Sequence, residues 1–300
     1  MNMASDKITS PGGFDALFKR NVPHVLEKIF FSLDYESFMA CRIVCKTWVE
    51  LLSSDRYAKH FLEMLARKRN EEELCAQSRD GNIGEVSQLL SSGVDPNCLI
   101  ANGIPLWYDD VTPLINAAMN GHEPVVKRLL HARAQPNKTN TRGNNPLQKA
   151  AYNGHIIVAK ILLEARADPN ARYNRSTPLY WAASRRHIGA VELLLNVGAK
   201  PNMECYDGFT PLHAAARIGC RDMLKLLLDA GAEPNTGNIR GTTALHLAAS
   251  NGHADVVKIL LDAAADPNKA NDFGSTPLDF AARSGHKDVV NVLLEDGARS

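Results

Sequence analysis

Thr210-Pro211-Leu212-His213-Ala214-Ala215-Ala216 is answered 33 residues later by Thr243-Ala244-Leu245-His246-Leu247-Ala248-Ala249. The same opening recurs at Thr112-Pro113-Leu114, Asn145-Pro146-Leu147, Thr177-Pro178-Leu179 and Thr276-Pro277-Leu278. The steps between successive openings, from 112 to 276, are 33, 32, 33, 33 and 33 residues. A second comb keeps the same time: Pro96-Asn97, Pro136-Asn137, Pro169-Asn170, Pro201-Asn202, Pro234-Asn235 and Pro267-Asn268. Two combs with one period describe a stack of like units, none of which buries its apolar face alone.

Each unit has the same internal order. Thr suits a helix N-cap, and the Pro after it suits the first helical position. A small-residue pair follows, as at Ala117-Ala118 or Ala215-Ala216, which lets helices approach closely. A Gly-His turn comes next at Gly121-His122, Gly154-His155, Gly252-His253 and Gly285-His286. A second helix ends in paired leucines such as Leu162-Leu163 and Leu260-Leu261, and a polar hairpin carries Gly143, Gly208, Gly241 or Gly274. The unit is therefore helix, turn, helix, hairpin. The residue after the second helix must be left-handed, which Gly93, Gly198, Gly231 and Gly297 supply and Arg133, Arg166 and Ala264 do not.

From residue 72 to the end these motifs resemble the ankyrin repeat family. The resemblance implies an all-α fold, an α-solenoid of about seven repeats over residues 74–300, its units near 74–97, 98–137, 138–170, 171–202, 203–235, 236–268 and 269–300. The first lacks Thr-Pro-Leu but keeps Asp95-Pro96-Asn97, as a capping unit should. The hairpin from Cys98 to Val111 is about seven residues longer than its counterparts and carries Trp107 and Tyr108.

The remaining composition mostly excludes. A formal net charge of +1 gives no bulk attraction to nucleic acid or an anionic membrane. Apolar runs fall well short of the ~20 residues a membrane helix needs. Residues 1–19 have no apolar signal core and read as a disordered leader. Cys41, Cys45, Cys75, Cys98, Cys205 and Cys220 form neither a disulfide framework nor a metal set, so the expectation is reduced structural thiols inside the cell, in cytoplasm, nucleus or both. The periodic histidines read as hydrogen bonders in turns. No nucleophile–base order, phosphate-binding glycine loop or paired carboxylates stand apart from the repeat, so no catalysis, metal or cofactor is expected. Trp181 sits where an apolar core residue belongs and reads as packing.

Residues 20–61 break the 33-residue period. Pro23 can open a helix, and Leu26, Ile29, Phe30 and Leu33 fall on one face of it. Val22-Pro23, Val25-Leu26, Ile29-Phe30, Leu33 and Val44-Cys45-Lys46-Thr47-Trp48 together resemble the F-box motif, with Val22 in place of the usual Leu. The resemblance implies a three-helix domain that docks on a Skp-type adaptor of a cullin–RING ubiquitin ligase. It places Pro23, Leu26, Ile29, Phe30, Leu33, Val44 and Trp48 at or behind that interface. Residues 62–73 contain Arg67-Lys68-Arg69-Asn70-Glu71-Glu72-Glu73 and read as a stiff helical linker.

In the ankyrin family, hairpin tips and the exposed face of each first helix hold the partner. Carried onto this chain, those positions give Arg142, Tyr152, Tyr173, Arg185, Tyr206, Phe209, Arg217, Arg240, Phe273 and Arg283, with Trp107 and Tyr108 on the long loop. Arginine among aromatics is hot-spot chemistry and favours an acidic or phosphorylated target protein. The expected function is substrate recognition for the ligase; the alternative is an ankyrin scaffold or decoy without ligase function.

Overall fold

The computed structural model describes residues 56–100, 110–172 and 176–299, with side chains from residue 63 onward. Among the described residues there are fourteen α-helices and no strand, only isolated bridges. They pair as α1 (Arg56–Asp80) with α2 (Ile83–Ser91), α3 (Pro113–Asn120) with α4 (Glu123–His131), α5 (Pro146–Asn153) with α6 (Ile156–Glu164), and α7 (Pro178–Ser184) with α8 (Ile188–Asn196). Then come α9 (Pro211–Ile218) with α10 (Arg221–Asp229), α11 (Ala244–Ser250) with α12 (Ala254–Asp262), and α13 (Pro277–Ser284) with α14 (Lys287–Glu295). From α3 onward each first helix packs on the next first helix, and each second helix packs on the next second helix. The result is the α-solenoid that the 33-residue comb predicts.

The alanine pairs explain how closely the first helices meet. Ala117, Ala118, Ala150, Ala151, Ala182, Ala183, Ala215 and Ala216 are fully buried between them. Leucines from both helices, such as Leu147 and Leu212 of first helices and Leu162 and Leu227 of second helices, fill the layer behind. Burying one such side chain contributes about 1.5–3 kcal/mol, and nearly all of it comes from contact with adjacent units. At the N-terminal end Leu74, Cys75 and Ser78 of α1 are buried, and Asn116 Nδ2 of α3 donates to Cys75 O at 2.9 Å. The long hairpin is closed at its base by Ile100 and Val111, both buried, which exchange backbone bonds of 3.1 and 3.0 Å.

The Pro-Asn comb is a set of clamps between units. Asn202 Nδ2 donates to Gly231 O at 2.9 Å, and its Oδ1 accepts from Glu233 N at 2.9 Å. Asn97 makes the same pair to Arg133 O and Gln135 N, and Asn137 to Arg166 O and Asp168 N. Asn170, Asn235 and Asn268 do so to Gly198 and Lys200, Ala264 and Asp266, and Gly297 and Arg299. The carbonyl always belongs to the left-handed residue after the second helix. Arg133, Arg166 and Ala264 hold that conformation with φ of 68°, 66° and 62°, as the sequence predicts. A Cβ is sterically tolerable there, because one added at Gly93, Gly198, Gly231 or Gly297 meets nothing within 4 Å. The cost is the left-handed backbone alone, about 1–2 kcal/mol per residue.

The turn between the two helices is stricter. The histidine that opens five of the second helices reaches back to the preceding unit: His122 Nε2 lies 2.8 Å from Arg79 O, and His155 3.1 Å from Met119 O. His187, His253 and His286 bond Tyr152 O, Arg217 O and Ser250 O in the same way. Each ring lies over the turn glycine of the unit before it. A Cβ on Gly121 would sit 2.7 Å from His155 Nδ1, and one on Gly219 would sit 2.6 Å from His253 Nδ1. These glycines need both a positive φ and empty space. The one turn that lacks glycine carries Arg186, at φ 64°, and the next unit there has Cys220 instead of histidine. The two departures from the repeat are one departure: without the ring, the Cβ is tolerated.

A third repeated position is buried. His213 Nδ1 accepts from Thr210 N at 3.1 Å and lies 2.8 Å from Thr210 Oγ1, so Nε2 carries the proton and donates to Thr242 O at 3.0 Å. His246 repeats this with Thr243 and Ser275 O. Burial holds His213 down to about 4 and lowers His246 in the same direction. Gln148 shows that an amide does the same work: its Oε1 accepts from Asn145 N at 3.2 Å, and its Nε2 donates to Ala171 O and Ser176 O.

Two outcomes follow. Cys220→His alone is expected to destabilise, and adding Arg186→Gly to recover about 1–3 kcal/mol of coupling in urea unfolding; additive single effects would contradict the steric account. For His213, the unfolded chain binds the proton near 6.5 and the folded chain only near 4. Stability is therefore complete above pH ~6.5 and falls as pH drops toward 4, by up to about 1.4 kcal/mol per pH unit. The double variant His213→Gln, His246→Gln is expected to flatten the fall in Tm over that window, whereas a curve parallel to the parent would contradict it.

Candidate binding surface

Capped helices hold the exposed face of the stack. Thr112 Oγ1 accepts from Ile115 N and Thr177 Oγ1 from Tyr180 N, both at 3.2 Å, and Asn145 Oδ1 accepts from Gln148 N at 2.8 Å. Thr276 N and Oγ1 both donate to Asp279 Oδ2, at 2.7 and 3.0 Å, and these bonds hold the Asp279 carboxyl below its usual range. With helix starts fixed by these caps, the seventh and eighth residues beyond each cap fall on repeating surface positions.

At the middle of the stack those positions form one patch. The Arg185 guanidinium lies 4.1 Å above the Tyr152 ring. Tyr152 meets Trp181 edge to face at 5.4 Å and 69°, and Trp181 meets Tyr180 at 5.8 Å and 71°. Tyr180 is half-buried, and burial, with Cys205 beside it, pushes its hydroxyl up to about 12. Arg217, exposed in the last turn of α9, lies near enough to Tyr180 to act on it electrostatically. Aromatic rings thus run from one arginine to the other, across three units. Cation–π contacts of this kind hold a guanidinium in place while leaving its outer donors available.

The structure redistributes several predicted roles. Tyr152, Arg185 and Arg217 do gather on this face. Trp181, read as packing, is half-buried and packs between the Tyr152 and Tyr180 rings at the centre of the patch. Phe209 packs its ring against His213 at 5.6 Å and 87° and is half-buried beneath its hairpin. Arg142 and Arg240 are exposed on hairpins, and Arg283 is exposed with Nη2 donating to Ser275 Oγ at 3.3 Å. Tyr206 and Phe273 stand out at the tips, 66% and 74% exposed, and Ile239, which the sequence reading passed over, is 65% exposed between them. Its signal was the 33-residue offset from Tyr206. Tyr173, Trp107 and Tyr108 lie outside the described residues, as do Pro23, Leu26, Ile29, Phe30, Leu33, Val44 and Trp48.

Among the described residues, no cluster of three or more His, Cys, Asp or Glu is placed to hold a metal, and no helix is long and apolar enough to cross a membrane. Cys75, Cys98, Cys205 and Cys220 are buried free thiols. The sulfurs of Cys75 and Cys98 lie 3.9 Å apart, and that contact together with burial drives the Cys75 thiol strongly upward, toward its protonated form.

Comparison with known families agrees with this architecture. A model of ankyrin repeats matches in three copies, over residues 73–173, 169–238 and 233–300. A model of the F-box domain matches residues 21–60. No curated protein matches the chain. These matches fit the repeated units and the segment ahead of them: the chain belongs to the ankyrin repeat family and carries an F-box domain ahead of its repeats.

Proposed function

We propose that this chain is the non-catalytic substrate-recognition subunit of a Skp–cullin–F-box ubiquitin ligase. The observation that carries the reading is the pairing, in one chain, of an F-box domain at residues 21–60 with an ankyrin stack whose first-helix face bears Arg185, Tyr152, Trp181 and Arg217. F-box domains generally bind a Skp-type adaptor, and ankyrin repeats generally bind proteins. In this role the F-box anchors Pro23, Leu26, Ile29, Phe30 and Leu33, with Val44 and Trp48, hold the adaptor and through it the cullin scaffold. The repeats hold the target protein, and ubiquitin transfer occurs on other subunits. The arginines favour an acidic target segment, phosphorylated or not. The role implies an intracellular chain, in cytoplasm, nucleus or both.

Each buried apolar anchor of such an interface contributes about 2 kcal/mol or more. Leu26→Ala with Ile29→Ala is therefore expected to abolish capture of purified Skp-type adaptor while leaving the melting of the repeats unchanged. Undiminished capture by the double variant would overturn the F-box assignment. Failure of the parent chain to capture the adaptor would instead favour a scaffold or decoy that uses the repeats alone.

A further inference from the structure

We propose that the target segment is an extended, acidic stretch of about a dozen residues, with a bulky apolar side chain at every third position. This deepens the reading of the repeats as the target-binding surface and rests on it.

The apolar pattern comes from the hairpin tips. Tyr206, Ile239 and Phe273 are the most exposed large apolar side chains among the described residues, and successive units contribute one each. Tyr206 and Ile239 occupy equivalent tip positions, and Phe273 lies one residue further on. The tips are stitched into one ridge by backbone bonds, Ile239 N to Asp207 O and Asp272 N to Arg240 O, each 3.0 Å. Gly208 and Gly241 allow that approach: a Cβ on Gly208 would lie 2.9 Å from Ile239 N. The tip N–H groups are already used, with Arg240 N on Asn238 Oδ1 and Phe273 N on Asn271 Oδ1, both 3.0 Å. The ridge therefore offers side chains and no open strand edge to a partner.

The period sets the partner's conformation. Packed helices, and hence successive units, lie about 8–10 Å apart. A polyproline-II chain rises ~3.1 Å per residue with three residues per turn, so every third residue both keeps step with the tips and faces them. A polyproline-like segment has three faces in that period. One can meet the tips, a second the first-helix face, and the third the solvent. The second face meets positive charge: Arg185, Arg217 and Arg283 are exposed there, and none forms an ion pair among the described residues. The carboxylates Asp207 and Asp272 sit on the tips themselves, which steers acidic partner side chains away from the tips and toward the arginines.

The test is selection of random twelve-residue peptides on the full-length chain, with three variants in parallel. One carries Tyr206→Ser, Ile239→Ser and Phe273→Ser; the second carries Arg185→Ala and Arg217→Ala; the third combines all five. All five side chains are exposed and outside the clamps, and matching melting curves confirm the fold. Enriched peptides are expected to combine Asp or Glu with large apolar residues spaced i, i+3, i+6. The tip variant should bind them about tenfold more weakly or worse and lose the apolar preference, and the arginine variant should lose the acidic preference. Enriched peptides with a helical i, i+4, i+7 pattern, or with no spacing rule, overturn this inference while leaving the repeats as the binding surface. Enriched peptides that bind the five-fold variant undiminished overturn the binding-surface reading itself.

Discussion

The asparagine clamp is the interaction on which the stack depends. Each unit presents one side-chain amide, at Asn97, Asn137, Asn170, Asn202, Asn235 or Asn268, and the next unit presents a carbonyl and an N–H at the spacing that amide spans. The carbonyl faces the amide because the residue bearing it is left-handed. Hence a strained backbone persists at Arg133, Arg166 and Ala264, where no glycine relieves it. A net contribution of about 1–3 kcal/mol from two hydrogen bonds offsets a cost of about 1–2 kcal/mol. The clamp also fixes the register between units, and register decides which side chains reach the surface.

Two glycine positions that look alike in the sequence obey different physics. After the second helix only the dihedral matters, so arginine and alanine are admitted. Between the helices the next unit's histidine also occupies the space, so glycine gives way only at Arg186, where Cys220 replaces that histidine. A close neighbour, and not the turn alone, separates the two cases.

Most of the repeat was legible because its rules are local. The Thr or Asn cap, the following proline, the alanine pair and the left-handed positions each depend on a few adjacent residues. The structural role of the histidines was legible from their period. What the sequence concealed was long-range. Trp181 reads as packing from its position alone; only the packing of α5 against α7 makes Tyr152 its partner. Ile239 escaped notice because a single aliphatic residue in a hairpin means little until the tips of three units are stitched together. The link between Arg186 and Cys220 spans two units and has no local signature.

The division of labour in the chain follows from this. The clamps, the turn histidines and the buried His213 and His246 are spent on holding units together, and the repeated surface positions are left to vary. That variation is where Arg185, Trp181 and the apolar tips stand, and the F-box domain at residues 21–60 is out of period with the rest. The central claim is that one chain holds an adaptor and a target segment at the same time. Native mass spectrometry of the full-length chain with purified Skp-type adaptor and a selected acidic peptide tests it most directly. The account predicts a one-to-one-to-one complex in which neither ligand weakens the other; mutually exclusive binding of adaptor and peptide would contradict it.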